Sequence, residues 1–578
     1  MITEEAIIKR LSTEPFCLFV GSGVSREVGL PSGSELGQMI LEALGVSSAQ
    51  ALDLAKAYHL ERMLFFLKDV LGESVPQVYS ALSSPFFGLN HIALASLNKA
   101  NVPILTTNQD ELIEKAAGGD LCKGDLIKIH GTLSNIMSLR VTLDAVSELP
   151  LHVSERLSTV TKSRIVVAIG YSFSDYDLRD FFISCGDRLF CCTRTGVLDN
   201  KFLRDMVYKG DKQAYDDHSF ISSAEQFLPN LSKALNVMVR LSNYSRTVSV
   251  KNSFKKAVHD WATQYPDYMR ELAIGRLPLG MWRAKRSFEM LAKVVERKLP
   301  PFFHAVALAE AADSAHAHDE CAREKTLLRK VKKIRGLDRN IRKLLYSLYS
   351  AAHYHVQDNP FEWRMALHLF KKSRCLLLAI LQTDKHEAEN RFLKSFEKKI
   401  DHGIASSLEK LNRYPFLGDT VEDALQFIEP YVEKRKPCDL DFMCEALFIR
   451  GKLYLHMKDV DNAEKAYRKA FEIADWIKDK HSIDQAYRGL GRIMALKGDF
   501  EQARSLLENS YKTAMETDQE CLLARNHLTW AWFYALTGDL KKARDHLVEG
   551  RTIYRQHRGI VKGTIDSYFY FRDRKTIK

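Results

Sequence analysis

The sequence predicts an α/β domain with a parallel, Rossmann-like sheet at the front and an all-α helical-repeat solenoid at the back. Three observations predict this. Short apolar runs alternate with amphipathic stretches over residues 1–245, strand-like runs then cease, and the C-terminal part repeats at a fixed interval.

The expected strands are 16–20, 102–105, 126–129, 165–169 and 189–192. Each is short and apolar, and several are rich in Val and Ile. Runs of this kind fit strands covered on both faces. The helical stretches between them supply the crossovers that parallel strands need.

From about residue 246 the chain turns to Leu, Ala, Lys, Glu and Arg at helical spacing. Residues 246–415 read as helical, with degenerate repeats. Segment 323–343 holds ten Lys or Arg, with Leu327, Val331 and Ile334 along one face, and reads as a basic amphipathic helix ending near Gly336. Residues 416–578 repeat clearly. Lys458-Asp459, Gly498-Asp499 and Gly538-Asp539 precede Ala463, Ala503 and Ala543, which are spaced by 40 residues, and Gly451, Gly491 and Ala531 keep the same spacing. Gly418-Asp419 followed by Ala424 reads as a degenerate earlier unit. A period of this size marks a helical solenoid. The pattern resembles tetratricopeptide repeats, with a second helix or following loop longer than usual.

Composition narrows the function classes. The 578 residues are 46% hydrophobic and 27% charged, which suits several packed domains. The net charge of +11 divides into −5 over residues 1–240 and +16 beyond. The basic back half could attract an acidic protein or nucleic acid, or be a set of solvated helix faces. The basic segment lacks the interleaved aromatics of a base-stacking surface, so nucleic acid is not the expected partner. The ten cysteines include no CxxC pair, which argues against a zinc ribbon and a disulfide framework. No apolar run is long enough to cross a bilayer, and residues 1–11 do not read as a secretory signal. A cytoplasmic protein without a membrane partner is expected.

The candidate chemistry lies where the strands end, since parallel sheets bind ligands beyond their carboxyl edges. The first strand runs into Gly21-Ser22-Gly23-Val24-Ser25, where backbone amides and a helix beginning near Ser25 could face a phosphate. A plain tight turn is the ordinary alternative. The second runs into Thr107-Asn108-Gln109-Asp110, whose amide and carboxylate suit a ribose hydroxyl, a carboxamide or a water, or a helix N-cap. The third ends in His130-Gly131, offering a proton acceptor or a structural histidine. The fourth ends in Gly170-Tyr171-Ser172, a glycine for close approach and a hydroxyl for phosphate or ribose.

In order and spacing these four endings resemble the sirtuin family over roughly residues 1–235. Lys128-Ile129-His130-Gly131 matches its His-Gly motif and Thr107-Asn108-Gln109-Asp110 the motif before it. The chain departs from the protein deacetylases in lacking the CxxC zinc module and in having Pro31-Ser32-Gly33-Ser34 where they carry Phe-Arg. It is more similar to the zinc-free bacterial branch. That resemblance implies NAD as substrate, no metal, and hydrolysis of the nicotinamide–ribose bond in defence against bacteriophage. It implies His130 as general base and Asn108 at the nicotinamide ribose or attacking water. Gly21, Ser22, Gly23 and Ser25 would lie at the phosphates, Asp110 at the carboxamide with Thr107 beside it, and Gly170 and Ser172 on the adenosine side. A solenoid fused to an NAD-consuming site further implies gating, by self-assembly into a homo-oligomer or by an activating protein partner, such as a phage protein, on the repeats. A non-catalytic NAD or ADP-ribose sensor and an ADP-ribosyl or acyl transferase are the alternatives.

Overall fold

The computed structural model describes residues 1–84, 86–118, 125–194, 200, 202–239, 251–280, 284–317, 321–356, 360–382, 392–411, 421–433, 439–517 and 520–558. Contacts divide the chain into two compact units. One comprises Met1–Phe65 with Glu73–Tyr265, the other Phe66–Gly72 with Pro266–Lys578. The expected junction at 245 lies outside the described residues. Helix Lys251–Thr263 groups with the first unit, where Phe254 packs on Val28, Leu30 and Leu112.

The first unit is built on six parallel strands: β1 (Phe16–Val20), β2 (Ile104–Thr106), β3 (Leu126–Lys128), β4 (Ile165–Ile169), β5 (Leu189–Thr193) and β6 (Ser219–Ile221). Their order is β3-β2-β1-β4-β5-β6. The order reverses between β1 and β4, the arrangement that opens a ligand crevice at the strand ends. Alternation along the strands sends side chains to two cores. Leu18, Val20, Ile104 and Val167 meet Leu94, Leu97, Phe227 and Leu231 on one face. Cys17, Phe19, Leu105 and Val166 meet Leu157, Val160, Phe181 and Phe182 on the other. Two covered faces explain why the strands read as continuous apolar runs.

Sequence and structure differ in detail. β2 begins after Pro103, which has no amide to donate, and extends to Thr106. β6 was not expected, because three residues are too short to show a period; its Phe220 is nonetheless fully buried. The segment after β1 is one 3-10 run, Ser22–Val28, rather than a helix beginning near Ser25, and it closes on Gly29 at φ 82°.

Among its described residues the second unit contains helices and their connections, and no strand. The basic segment forms helix Cys321–Lys333 and then, past Gly336 at φ 78°, helix Arg339–Val356. Helices Leu440–His456 and Val460–Trp476 make one repeat, Lys480–Leu496 and Phe500–Met515 the next, and Glu520–Thr537 and Leu540–Arg558 a third. The long period is shared by both helices: Leu440–His456 and Val460–Trp476 each have 17 residues, joined by the short turn 457–459. Gly418-Asp419 lies outside the described residues, whereas Ala424 is buried in helix Val421–Val432.

Candidate functional site

The strand tips enclose one cavity of about 570 Å³, within the usual range for small-ligand sites. Ser22, Gly23, Ser25, Thr107, Asn108, Asp110, His130, Gly170 and Ser172 all line it. Gly21 stands just behind the wall and contributes its carbonyl to Asn108.

Asn108 is held from several sides. Its backbone amide donates to Thr106 Oγ1 at 3.0 Å, and that hydroxyl donates to Val20 O at 2.8 Å. Its Nδ2 donates to Gly21 O and to Ser25 Oγ, both at 3.3 Å. The amide nitrogen is therefore spent on protein acceptors, which also fixes which way the side chain faces. Asn108 is 5% exposed, and its buried Oδ1 accepts no hydrogen bond among the described residues. A buried carbonyl without a donor costs stability, so this position in the cavity lining calls for a reason beyond packing.

Ser25 is a junction within the wall. Its hydroxyl donates to Asp110 Oδ2 at 3.0 Å and stands 3.1 Å from His91 Nε2. The Gly88 amide donates to His91 Nδ1 at 3.1 Å, which places the ring proton on Nε2. His91 thus donates to Ser25. Glu27 Oε1 lies 3.3 Å from the same Nδ1 that accepts from the Gly88 amide. With one proton given and two received, Ser25 has no capacity left for a phosphate; it orients Asn108 and Asp110 instead. Asp110 is likewise engaged, with Oδ1 accepting from Leu112 N at 3.2 Å.

The glycines serve close packing. Gly21 N donates to Ile169 O and Gly23 N to Gly170 O, so neither amide faces an anion. A Cβ at Gly21 would lie 2.5 Å from Gly170 O, and one at Gly23 would lie 2.7 Å from the same atom. Gly170 sits at φ 61°, with its own Cβ position 2.9 Å from Val24 N. Only glycine allows the loops after β1 and β4 to touch this closely.

His130 is 4% exposed and meets the Asp177 carboxylate through Nε2, at 3.3 Å to Oδ1 and 3.2 Å to Oδ2. Arg140 Nη2 reaches Asp177 Oδ2 at 3.4 Å. Burial disfavours the imidazolium, but the charge and hydrogen bond of Asp177, with Asp175 beyond, outweigh it and raise His130 to about 9. Burial and the charge of Asp175 push Glu61 up to about 7. Burial also raises Asp175, whose Oδ2 accepts from Tyr171 OH at 2.5 Å. Ser172 lies exposed at the rim, its Oγ 2.7 Å from Ser174 Oγ.

Sequence reasoning reached Asp175 at the fourth strand's ending without giving it a role, and missed Glu61 and Asp177. The two aspartates follow the β4 tip directly, in Ser174-Asp175-Tyr176-Asp177, so two acids just past a strand end were a usable signal. Glu61 comes from helix Leu60–Leu71, far from any strand end, and carried none. Among the described residues, no group of three or more His, Cys, Asp or Glu side chains is arranged to hold a metal ion. Nor, among them, is any helix long and apolar enough to cross a membrane.

The tetratricopeptide repeat family matches residues 442–516. No curated protein matches the chain. Solved structures similar to parts of it include BtubC (BKLC) from P. vanneervenii, 13% identical, covering 50% of this chain and 92% of that one, with a TM-score of 0.21. The apo form of the quorum sensor NprR from B. thuringiensis is 14% identical, covering 52% and 96%, with a TM-score of 0.24. A Signal Transduction ATPase with Numerous Domains protein with a tetratricopeptide repeat sensor, from Pyrococcus horikoshii, is 13% identical, covering 96% and 89%, with a TM-score of 0.28.

Proposed function

We propose that the first unit is a sirtuin-like NAD glycohydrolase of the zinc-free kind. The observation that carries the reading is the cavity at the β1–β4 switch point, lined by His130 and by Asn108, whose buried Oδ1 has no donor among the described residues.

The chemistry follows from the substrate. Breaking the bond between ribose C1′ and the pyridinium nitrogen sends the electron pair to nicotinamide, which leaves neutral. The ribose becomes oxocarbenium-like. Asn108 Oδ1 accepts a hydrogen bond from a ribose hydroxyl or from the attacking water. The water oxygen bonds to C1′ and its proton passes to His130. Above about pH 7 the ionised Glu61 in the same lining adds negative potential that favours the developing cation.

We assign the tetratricopeptide repeats the role of gate, answering to an activating protein or to self-association. Defence against bacteriophage by NAD depletion is the setting this reading implies. The test is release of nicotinamide from NAD by the full chain, alone and with candidate activators. Asn108→Ala and His130→Ala are each expected to slow release by about 10²-fold or more; release unchanged in both would refute the assignment.

A second reading is favoured by the His130–Asp177 ion pair. A ring held protonated at neutral pH suits binding of NAD or ADP-ribose without cleavage. ADP-ribose binding without nicotinamide release under any condition would select it.

A further inference from the structure

Asp177 has no exposed side-chain surface, and it stands in the short turn Tyr176–Leu178 that follows β4. Burying a carboxylate is costly unless it is paired. Its partners are His130 Nε2, against both oxygens, and Arg140 on Oδ2. Asp175, two residues earlier, is turned to Tyr171 instead. The two aspartates therefore have different partners: Asp175 lines the cavity, and Asp177 is buried against His130.

The consequence for His130 is geometric. A neutral imidazole carries one N–H and one lone pair. A carboxylate on Nε2 claims the N–H, so the lone pair resides on Nδ1. Nδ1 makes no hydrogen bond among the described residues, while the ring lines the cavity. We propose that Asp177 is a positioning residue: its carboxylate fixes the ring and tautomer of His130 so that Nδ1 takes the proton of the attacking water. This rests on the NAD-cleaving reading and adds a named partner to its base. In the step, the water O–H bond breaks as oxygen joins C1′, the proton goes to Nδ1, and the resulting imidazolium is held by Asp177.

The charged groups that face His130 are Asp177 and Asp175 after β4, Glu61 from helix Leu60–Leu71, and Arg140 from the loop after His130. The three acids favour the imidazolium and Arg140 opposes it. The base works only when neutral, so turnover by the native protein rises with pH as His130 loses its proton near 9. Removing the Asp177 charge brings that limb toward the ordinary 6.5.

The experiment uses the full chain carrying Asp177→Asn, which keeps shape and loses charge, with Asp177→Glu as the conservative comparison. Two signals are read: the pH profile of nicotinamide release from NAD, and the titration of the His130 ring proton in 13C-histidine-labelled protein, identified by its loss in His130→Gln. The expected result for Asp177→Asn is a His130 midpoint lower by at least about one pH unit. The acidic limb of kcat moves the same way, the plateau falls on the order of 10²-fold, and KM changes little. Asp177→Glu restores the midpoint in part. An unmoved midpoint and limb in Asp177→Asn would overturn the proposal. Should the native chain never release nicotinamide, the cleavage reading falls and this proposal's proton-acceptor role falls with it. The ring titration then still reports whether Asp177 governs His130.

Discussion

The hydroxyl of Ser25 ties together three buried side chains. Asn108 Nδ2 and His91 Nε2 donate to it, and Asp110 Oδ2 accepts from it. Ser25→Ala leaves His91 Nε2 and Asp110 Oδ2 unpaired among buried groups, at about 1–3 kcal/mol for each orphan. The amide of Asn108 then loses one of its two anchors. The expected outcome is a lower thermal midpoint for the first unit and a kcat for nicotinamide release reduced more than KM is raised. A raised KM with kcat intact would instead make Ser25 a phosphate ligand, the role the sirtuin resemblance implies. At this scale the sequence offered residue types at strand ends, and those residues do gather at one cavity. What it could not offer was the hydrogen-bond partners. The glycines look identical in a string whether their amides face a phosphate or, as here, Ile169 O and Gly170 O.

At the scale of elements, the repeats show one device used again and again. Asp439, Asp459, Asp479, Asp499 and Asp539 each accept a backbone amide at the start of a helix, at 2.8 to 3.3 Å. The residue before four of these caps adopts a left-handed conformation: Gly498 and Gly538 at φ 87°, Lys458 at 62° and Lys478 at 55°. Glycine takes that conformation freely, whereas lysine is strained there. Lys458→Gly is therefore expected to stabilise the second unit by about 0.5–1 kcal/mol. Asp499→Ala should cost it about 1 kcal/mol through loss of the cap. Urea unfolding followed by helical circular dichroism checks both signs. The small residues obey the same close-packing logic. A Cβ at Gly451 would fall 2.7 Å from the Tyr467 ring, and one at Gly491 would fall 2.7 Å from Leu507 Cδ2.

Over the whole molecule, the proposed pairing of an NAD-consuming site with a repeat array has a measurable consequence. If the repeats gate the site, the full chain alone turns NAD over slowly, and the rate per chain rises with protein concentration or with an added activator. Gel filtration under the same conditions separates the two routes, since self-association shifts the elution volume and a separate activator adds a second protein to the peak. Fast turnover by a dilute, monomeric full chain would remove the gate.

Local pattern by itself determined the two architectures, the positions of five strands, and the spacing and turns of the repeats. These depend on periodicity and turn chemistry, both of which act over a few neighbouring residues. Tertiary structure alone decided the sixth strand, the strand order that opens the cavity, and the partners inside it. Asp177 beside His130 and Glu61 in the same wall arise from contacts between distant segments, 47 positions apart for the first pair. No local rule carries such contacts. They exist because burying two faces of one sheet brings the separate loops at its edge to a common point.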